Sequence, residues 1–109
     1  VYSFKNISSL QADLKNGSIT CTQVVNELFE QIEKTKNLNA YLEVFTESAK
    51  QQALAIDAKI KSGTHGKLAG VVIALKDNIA YKGHKVSASS KILRKLYFAI
   101  QLQLLLNVY

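Results

Sequence analysis

Five consecutive apolar residues, Val71, Val72, Ile73, Ala74 and Leu75, run straight into Lys76, Asp77 and Asn78. The first three are β-branched, and Gly70 on one side and the polar trio on the other bound the run. A strand solvated on one face would alternate polar and apolar residues, so an unbroken run of this kind suits a strand buried on both faces. Such a strand needs neighbours at its edges and cover above and below, which sets an α/β expectation for the chain. Lys76 at its end is the residue with the most chemical content. Loss of hydration there disfavours the charged form of the amine, and an amine so placed can take a proton from a serine hydroxyl, the general-base half of a Ser–Lys mechanism. The plain alternative is a lysine whose stem lies along the strand end while its ammonium reaches water. Asp77 and Asn78 read equally well as turn residues that bond their own backbone.

Upstream, the pattern is helical. Ser8 with Gln11 forms a capping-box pattern ahead of Leu10 and Leu14, which share one face, and Gly17 ends this first helix. Thr20 with Gln23 repeats the box for a second helix. Its apolar positions Val24, Val25, Leu28, Phe29 and Ile32 make one stripe, opposite Glu27, Glu30 and Glu33. Ala40–Phe45 alternates and suits a strand. A third helix opens at Thr46 or Glu47, with Ala49, Ala53, Ile56 and Ile60 at helical spacing and Asp57–Lys61 as an i,i+4 pair. Residues 62–66 form a loop by composition, and Tyr81 to Ser90 a polar turn or short strand around Gly83.

Charge is unevenly spread along the 109 residues. The net +6 divides into −2 over residues 1–57 and +8 over residues 58–109. A basic half is compatible with nucleic acid or an anionic surface, but its lysines lack the interleaved aromatics of a stacking platform. The single cysteine, Cys21, excludes an internal disulfide framework and suggests a reducing compartment, the cytoplasm. It sits in the first turn of a helix, where a thiolate is favoured, or simply serves as a small helical residue. His65 and His84 stand in loops without a second ligand at metal spacing. No glycine-rich phosphate loop is present. No secretory signal is expected, and the apolar run from Leu96 to Tyr109 is too short and too polar to span a membrane.

Three segments together carry a resemblance: SLQADLKNGSITCTQVVNELFEQIE, LNAYLEV and GKLAGVVIALKDNIAYKGHKVSASSKIL. From about Ser8 to Leu93 the chain resembles the N-terminal region of the amidase signature family, above all its branch acting in tRNA-dependent amidotransfer. The sharpest likeness is the LAG…IALKDNI pattern followed by KG and SKIL. The resemblance implies an α/β fold made of N-terminal helices and the first strands of a mixed sheet, incomplete in this chain, with Val71–Lys76 as an inner strand. It implies that Lys76 is catalytic, relaying protons to and from a bridging serine that activates a serine nucleophile. It further implies release of ammonia from glutamine. Partner subunits of a heterotrimeric enzyme, using ATP and magnesium, would spend that ammonia on converting glutamyl-tRNA to glutaminyl-tRNA. The chain itself would hold no cofactor and no metal, and would meet tRNA only through the complex.

Three departures qualify the likeness. Val72 stands where the family commonly has proline. Ser89 and Ser90 lack flanking glycines and do not match the glycine- and serine-rich stretch that carries both catalytic serines, so the chain is expected to be inactive alone. Residues 94–109, RKLYFAIQLQLLLNVY, depart from the family where an ENF-like segment is usual. They fit an out-of-frame reading of family-like codons. Residues 1–93 are accordingly expected to be the N-terminal part of an amidase domain, and 94–109 an apolar tail. Two other readings stay open: a fragment of another amidase-family hydrolase, and a small basic helical module that binds nucleic acid or protein.

Overall fold

A computed structural model describes residues 2–92. Among these, α1 spans Ile7–Asn16, α2 Cys21–Lys34 and α3 Thr46–Ser62, with a 3-10 turn at Lys36–Leu38 between the last two. The described chain falls into two compact units, one ending at Val72 and the other beginning at Ile73. All three helices belong to the first.

Capping chemistry places the starts of α1 and α2, whereas α3 begins after Phe45 without a side-chain cap. α1 opens two residues earlier than the Ser8–Gln11 pattern predicts: Asn6 Oδ1 accepts from the Ser9 amide at 2.9 Å, and Ser9 Oγ accepts from the Asn6 amide at 3.3 Å. The earlier box releases Gln11, whose Nε2 donates to the Lys67 carbonyl at 2.5 Å and ties the loop after α3 to α1. α2 starts as expected. Thr20 Oγ1 accepts from the Gln23 amide at 3.1 Å, and Gln23 Oε1 accepts from the Thr20 amide at 2.9 Å. Gly17 and Gly63 end α1 and α3 in the left-handed region, at φ 78° and 72°, where a Cβ would be strained.

Leu10, Leu14, Ile19, Cys21, Val24, Val25 and Ala53 form the core, flanked by half-buried Phe29, Ala49, Ile56 and Ile60. α2 packs chiefly on α3, and the small Ala53 lets the two helices approach. The α2 stripe is covered most fully at its N-terminal end, with Phe29 and Ile32 half-buried beyond it. Val24 and Val25 are buried, whereas Leu28 is exposed. Gly70, at φ 80°, abuts this core so closely that a Cβ there would overlap Leu14 Cδ1 and lie 3.2 Å from Cys21 Sγ.

Several sequence expectations are corrected. Neither Ala40–Phe45 nor Val71–Leu75 forms a strand, and the described residues contain none. A strand needs a partner about 4.8 Å away on the ladder, and the described residues supply no partner for either run. Val71–Leu75 therefore has no regular secondary structure, with Val72 49%, Ile73 56% and Leu75 39% exposed, and is not a strand buried on both faces. The α/β expectation is met here only by its helices. The Asp57–Lys61 pair is likewise replaced by a bond across helices, because the Asp57 carboxylate finds amide donors at the start of α2. The 94–109 tail lies outside the described residues.

Candidate functional site

Lys76 opens the second unit's chain of turns. A turn closes over Asp77 and Asn78, with the Ile79 amide donating to the Lys76 carbonyl at 2.9 Å. A second turn brings the His84 amide to the Tyr81 carbonyl at 3.0 Å, with Gly83 at φ 83°. The Tyr81 and His84 rings stack across it, centroids 4.9 Å apart and planes within 10°. A third turn runs from Ser87 to Ser90, whose amide donates to the Ser87 carbonyl at 2.8 Å. Its two central residues, Ala88 and Ser89, both have positive φ, 46° and 60°. That is the mirror-image turn that glycine and asparagine normally supply.

Asp77 explains how such a turn is held. Its Oδ2 accepts from the Ser87 hydroxyl at 2.6 Å and from the Ser89 amide at 2.9 Å. Its Oδ1 accepts from the Ser87 amide at 3.1 Å, and its carbonyl accepts from the Ala88 amide at 2.9 Å. Four donors from three consecutive residues thus converge on one aspartate. Ser87 is buried as a result. By sequence Asp77 reads as a local turn residue. In the structure its carboxylate reaches ten and twelve residues ahead, a link with no signature at short spacing.

The other candidate residues are placed as follows. Lys76 is exposed, so the burial expected around its amine is not supplied by the described residues. Ser89 and Ser90 serve the turn through their amides. Cys21 is buried against Asp57, and burial, followed by the hydrogen bond to that carboxylate, pushes its thiol up to about 12. It is a packing residue and not an activated thiolate. His65 is exposed beside the Gly66 carbonyl, and His84 is engaged in the stack. Among the described residues no group of three His, Cys, Asp or Glu side chains converges as a metal site. No helix of the described residues is long and apolar enough to cross a membrane. A groove of about 450 Å³ lies along α1 and the loop after α3, lined by Gln11, Leu14, Ile60, His65 and Lys67 among others. Its lining contains no serine, threonine or cysteine.

Residues 23–99, which include Lys76 and the whole Asp77–Ser87 arrangement, match the family described as Amidase. The chain belongs to the amidase family. Its curated relatives include the A subunit of glutamyl-tRNA(Gln) amidotransferase from Chlorobaculum parvum, 40% identical over 91 residues, covering 83% of this chain and 19% of that protein. The protein of the same name from Chlorobium chlorochromatii is 40% identical over 87 residues, 79% of this chain and 18% of the relative. That of Chlorobium phaeobacteroides is 34% identical over 108 residues, 95% and 23% respectively. The chain spans about a fifth of the length of these relatives. No solved structure matches it.

Proposed function

We propose that this chain is the lysine-bearing N-terminal part of a glutamine-hydrolysing amidotransferase subunit. The observation that carries the reading is the 40% identity over 91 residues to a protein named for amidotransfer, an alignment long enough that it must include Lys76. In this reading the Lys76 amine takes a proton from a bridging serine, which takes one from the serine nucleophile attacking the glutamine carboxamide. Lys76 then returns the proton, through the same serine, to the departing ammonia. Both serines belong to a part of the domain beyond the matched segment. A lysine without its nucleophile leaves the 109-residue chain inactive by itself.

Ammonia released at such a site passes to partner subunits of a heterotrimer, where ATP and magnesium drive its transfer to glutamyl-tRNA. This chain meets tRNA only through them, in the cytoplasm. The exposed Val72, Ile73 and Leu75 support the same reading, because they are the residues that a sheet completed by the rest of the domain would cover.

The experiment has two arms. The purified chain is incubated with glutamine, and no ammonia release is expected. Residues 2–92 are then exchanged into the Chlorobaculum parvum protein within its assembled enzyme, where hydrolysis is expected to persist and to vanish with Lys76→Ala. Ammonia release by the isolated chain, abolished by Lys76→Ala, would overturn the fragment reading; an active exchange enzyme indifferent to Lys76→Ala would overturn the lysine's role. A fragment of another amidase-family hydrolase would instead restore hydrolysis of small amides in its own background. A nucleic-acid module would retain tRNA on filters in a salt-sensitive way.

A further inference from the structure

Lys76 stands on a segment that no strand ladder holds among the described residues, and its side chain is long and exposed. A proton relay needs that amine at one place, so something must fix the backbone from which it departs. The bonds that converge on the next residue meet this need. Asp77 takes the Ser87 hydroxyl at 2.6 Å, the Ser87 and Ser89 amides at 3.1 and 2.9 Å, and, through its carbonyl, the Ala88 amide at 2.9 Å.

We propose that Asp77, anchored by Ser87, is the positioning residue of the Lys76 site: it locks the Lys76–Asp77 backbone to the 87–90 turn and so sets where the amine can reach. The inference rests on the reading of Lys76 as the proton relay. Two features favour it over an ordinary loop cap. Ala88 and Ser89 both occupy the left-handed region, at φ 46° and 60°, without being glycine. Backbone of that kind persists where its surroundings over-determine it, and it concentrates at functional sites. The bonds also involve the residue adjoining Lys76 and not one several positions away, so any slack in them passes directly to the lysine's Cα. Ser87 contributes a hydroxyl as well as an amide, which gives the device a side chain that can be removed without touching Asp77.

The test uses two preparations. In the full 109-residue chain, amide exchange is followed at Ser87, Ala88 and Ser89 for the parent and for Asp77→Ala. Asp77→Ala is expected to speed exchange at all three by about tenfold or more while the α2 and α3 amides are unchanged. In the assembled exchange enzyme, Ser87→Ala is expected to lower kcat by about 10- to 100-fold with KM little changed, the size of effect that misplacing a catalytic group produces. Ser87→Thr, which keeps the hydroxyl, is expected to recover most of it. A purely structural loss would lower the amount of folded enzyme and leave kcat per active site unmoved. Unaltered exchange in Asp77→Ala overturns the proposal, as does full kcat in Ser87→Ala alongside a dead Lys76→Ala. If Lys76→Ala is itself active, the relay reading has failed, whatever the exchange data show about the turn.

Discussion

Asp57, two-thirds of the way along α3, closes the N-terminus of α2 through Thr22, whose hydroxyl and amide donate to Oδ2 at 2.7 and 3.1 Å. The Cys21 amide donates to Oδ1 of the same carboxylate at 2.7 Å. One acidic side chain thereby satisfies the first amides of a neighbouring helix and sits at the positive end of its dipole. It also ties α3 to the start of α2.

The carboxylate's titration gives the first prediction. Burial pushes the Asp57 carboxyl up, but the Thr22 hydroxyl and the Cys21 and Thr22 amides outweigh it and hold the group below its ordinary value. A carboxyl depressed in the folded state stabilises fully above its unfolded value of about 3.9, and that contribution fades as pH falls through the folded value. Asp57→Ala should therefore cost about 1–3 kcal/mol at neutral pH, the range for a lost cap with unsatisfied amides. The deficit should shrink toward zero at pH values below about 4. Urea titrations of both proteins from acid to neutral pH measure it, and a deficit independent of pH would remove the cap from the account.

Thiol chemistry gives an independent check on the same contact. Cys21 is buried and its thiol is raised to about 12, by burial first and by Asp57 second. At a pH of about 8 the native chain should react with a disulfide reagent at least on the order of 100-fold more slowly than the urea-unfolded chain. Asp57→Ala should recover part of the difference. Rapid native labelling would mean that the α2–α3 contact opens readily in solution.

Gly70 is the position where the loop before Lys76 is most tightly committed to the helices. Gly70→Ala must accept a left-handed φ of 80° and push against Leu14, whose Cδ1 occupies the new methyl's space. The backbone cost is about 1–2 kcal/mol and the overpacking cost about 1–3 kcal/mol. Gly17→Ala supplies the control, since its φ is 78° but nothing lies within 4 Å of the added carbon. Gly70→Ala should thus lose clearly more stability than Gly17→Ala in matched denaturation curves. Equal losses would show that the 66–72 loop does not rest on Leu14.

The features legible in the sequence are those whose causes are local. Thr20 and Gln23 cap α2 as their spacing predicts, and Gly17 ends α1, because each depends on residues within one turn. Asn6 displaces Ser8 because two cap acceptors compete and nothing in the pattern ranks them. Periodicity pairs Asp57 with Lys61, its helical neighbour, since a donor 35 residues away at Thr22 is invisible to it. A strand at Val71–Leu75 follows from composition alone, whereas a strand exists only where a partner pairs with it. Lys76 stands out through family likeness and residue type. Its connection to Ser87 through Asp77 does not, because the Ser87–Ala88–Ser89 turn lacks the glycine or asparagine that usually advertises positive φ.

The same unpartnered run yields the last prediction. Among the described residues the backbone groups of residues 72–75 have no hydrogen-bond partner, and Ile73 and Leu75 are exposed. An exposed apolar run with unpaired amides and carbonyls can serve as a template for pairing with another chain. The chain should therefore self-associate, its weight-average mass in sedimentation equilibrium rising with concentration. A charge within such a run breaks pairing, so Ile73→Lys together with Leu75→Lys should return it toward the mass of a monomer, 12.1 kDa. The helical far-ultraviolet signal should be unaffected, because neither residue belongs to the α1–α3 core. Association that survives the double substitution would place the sticky surface elsewhere, with exposed Leu28 on α2 and Leu54 on α3 next to be replaced.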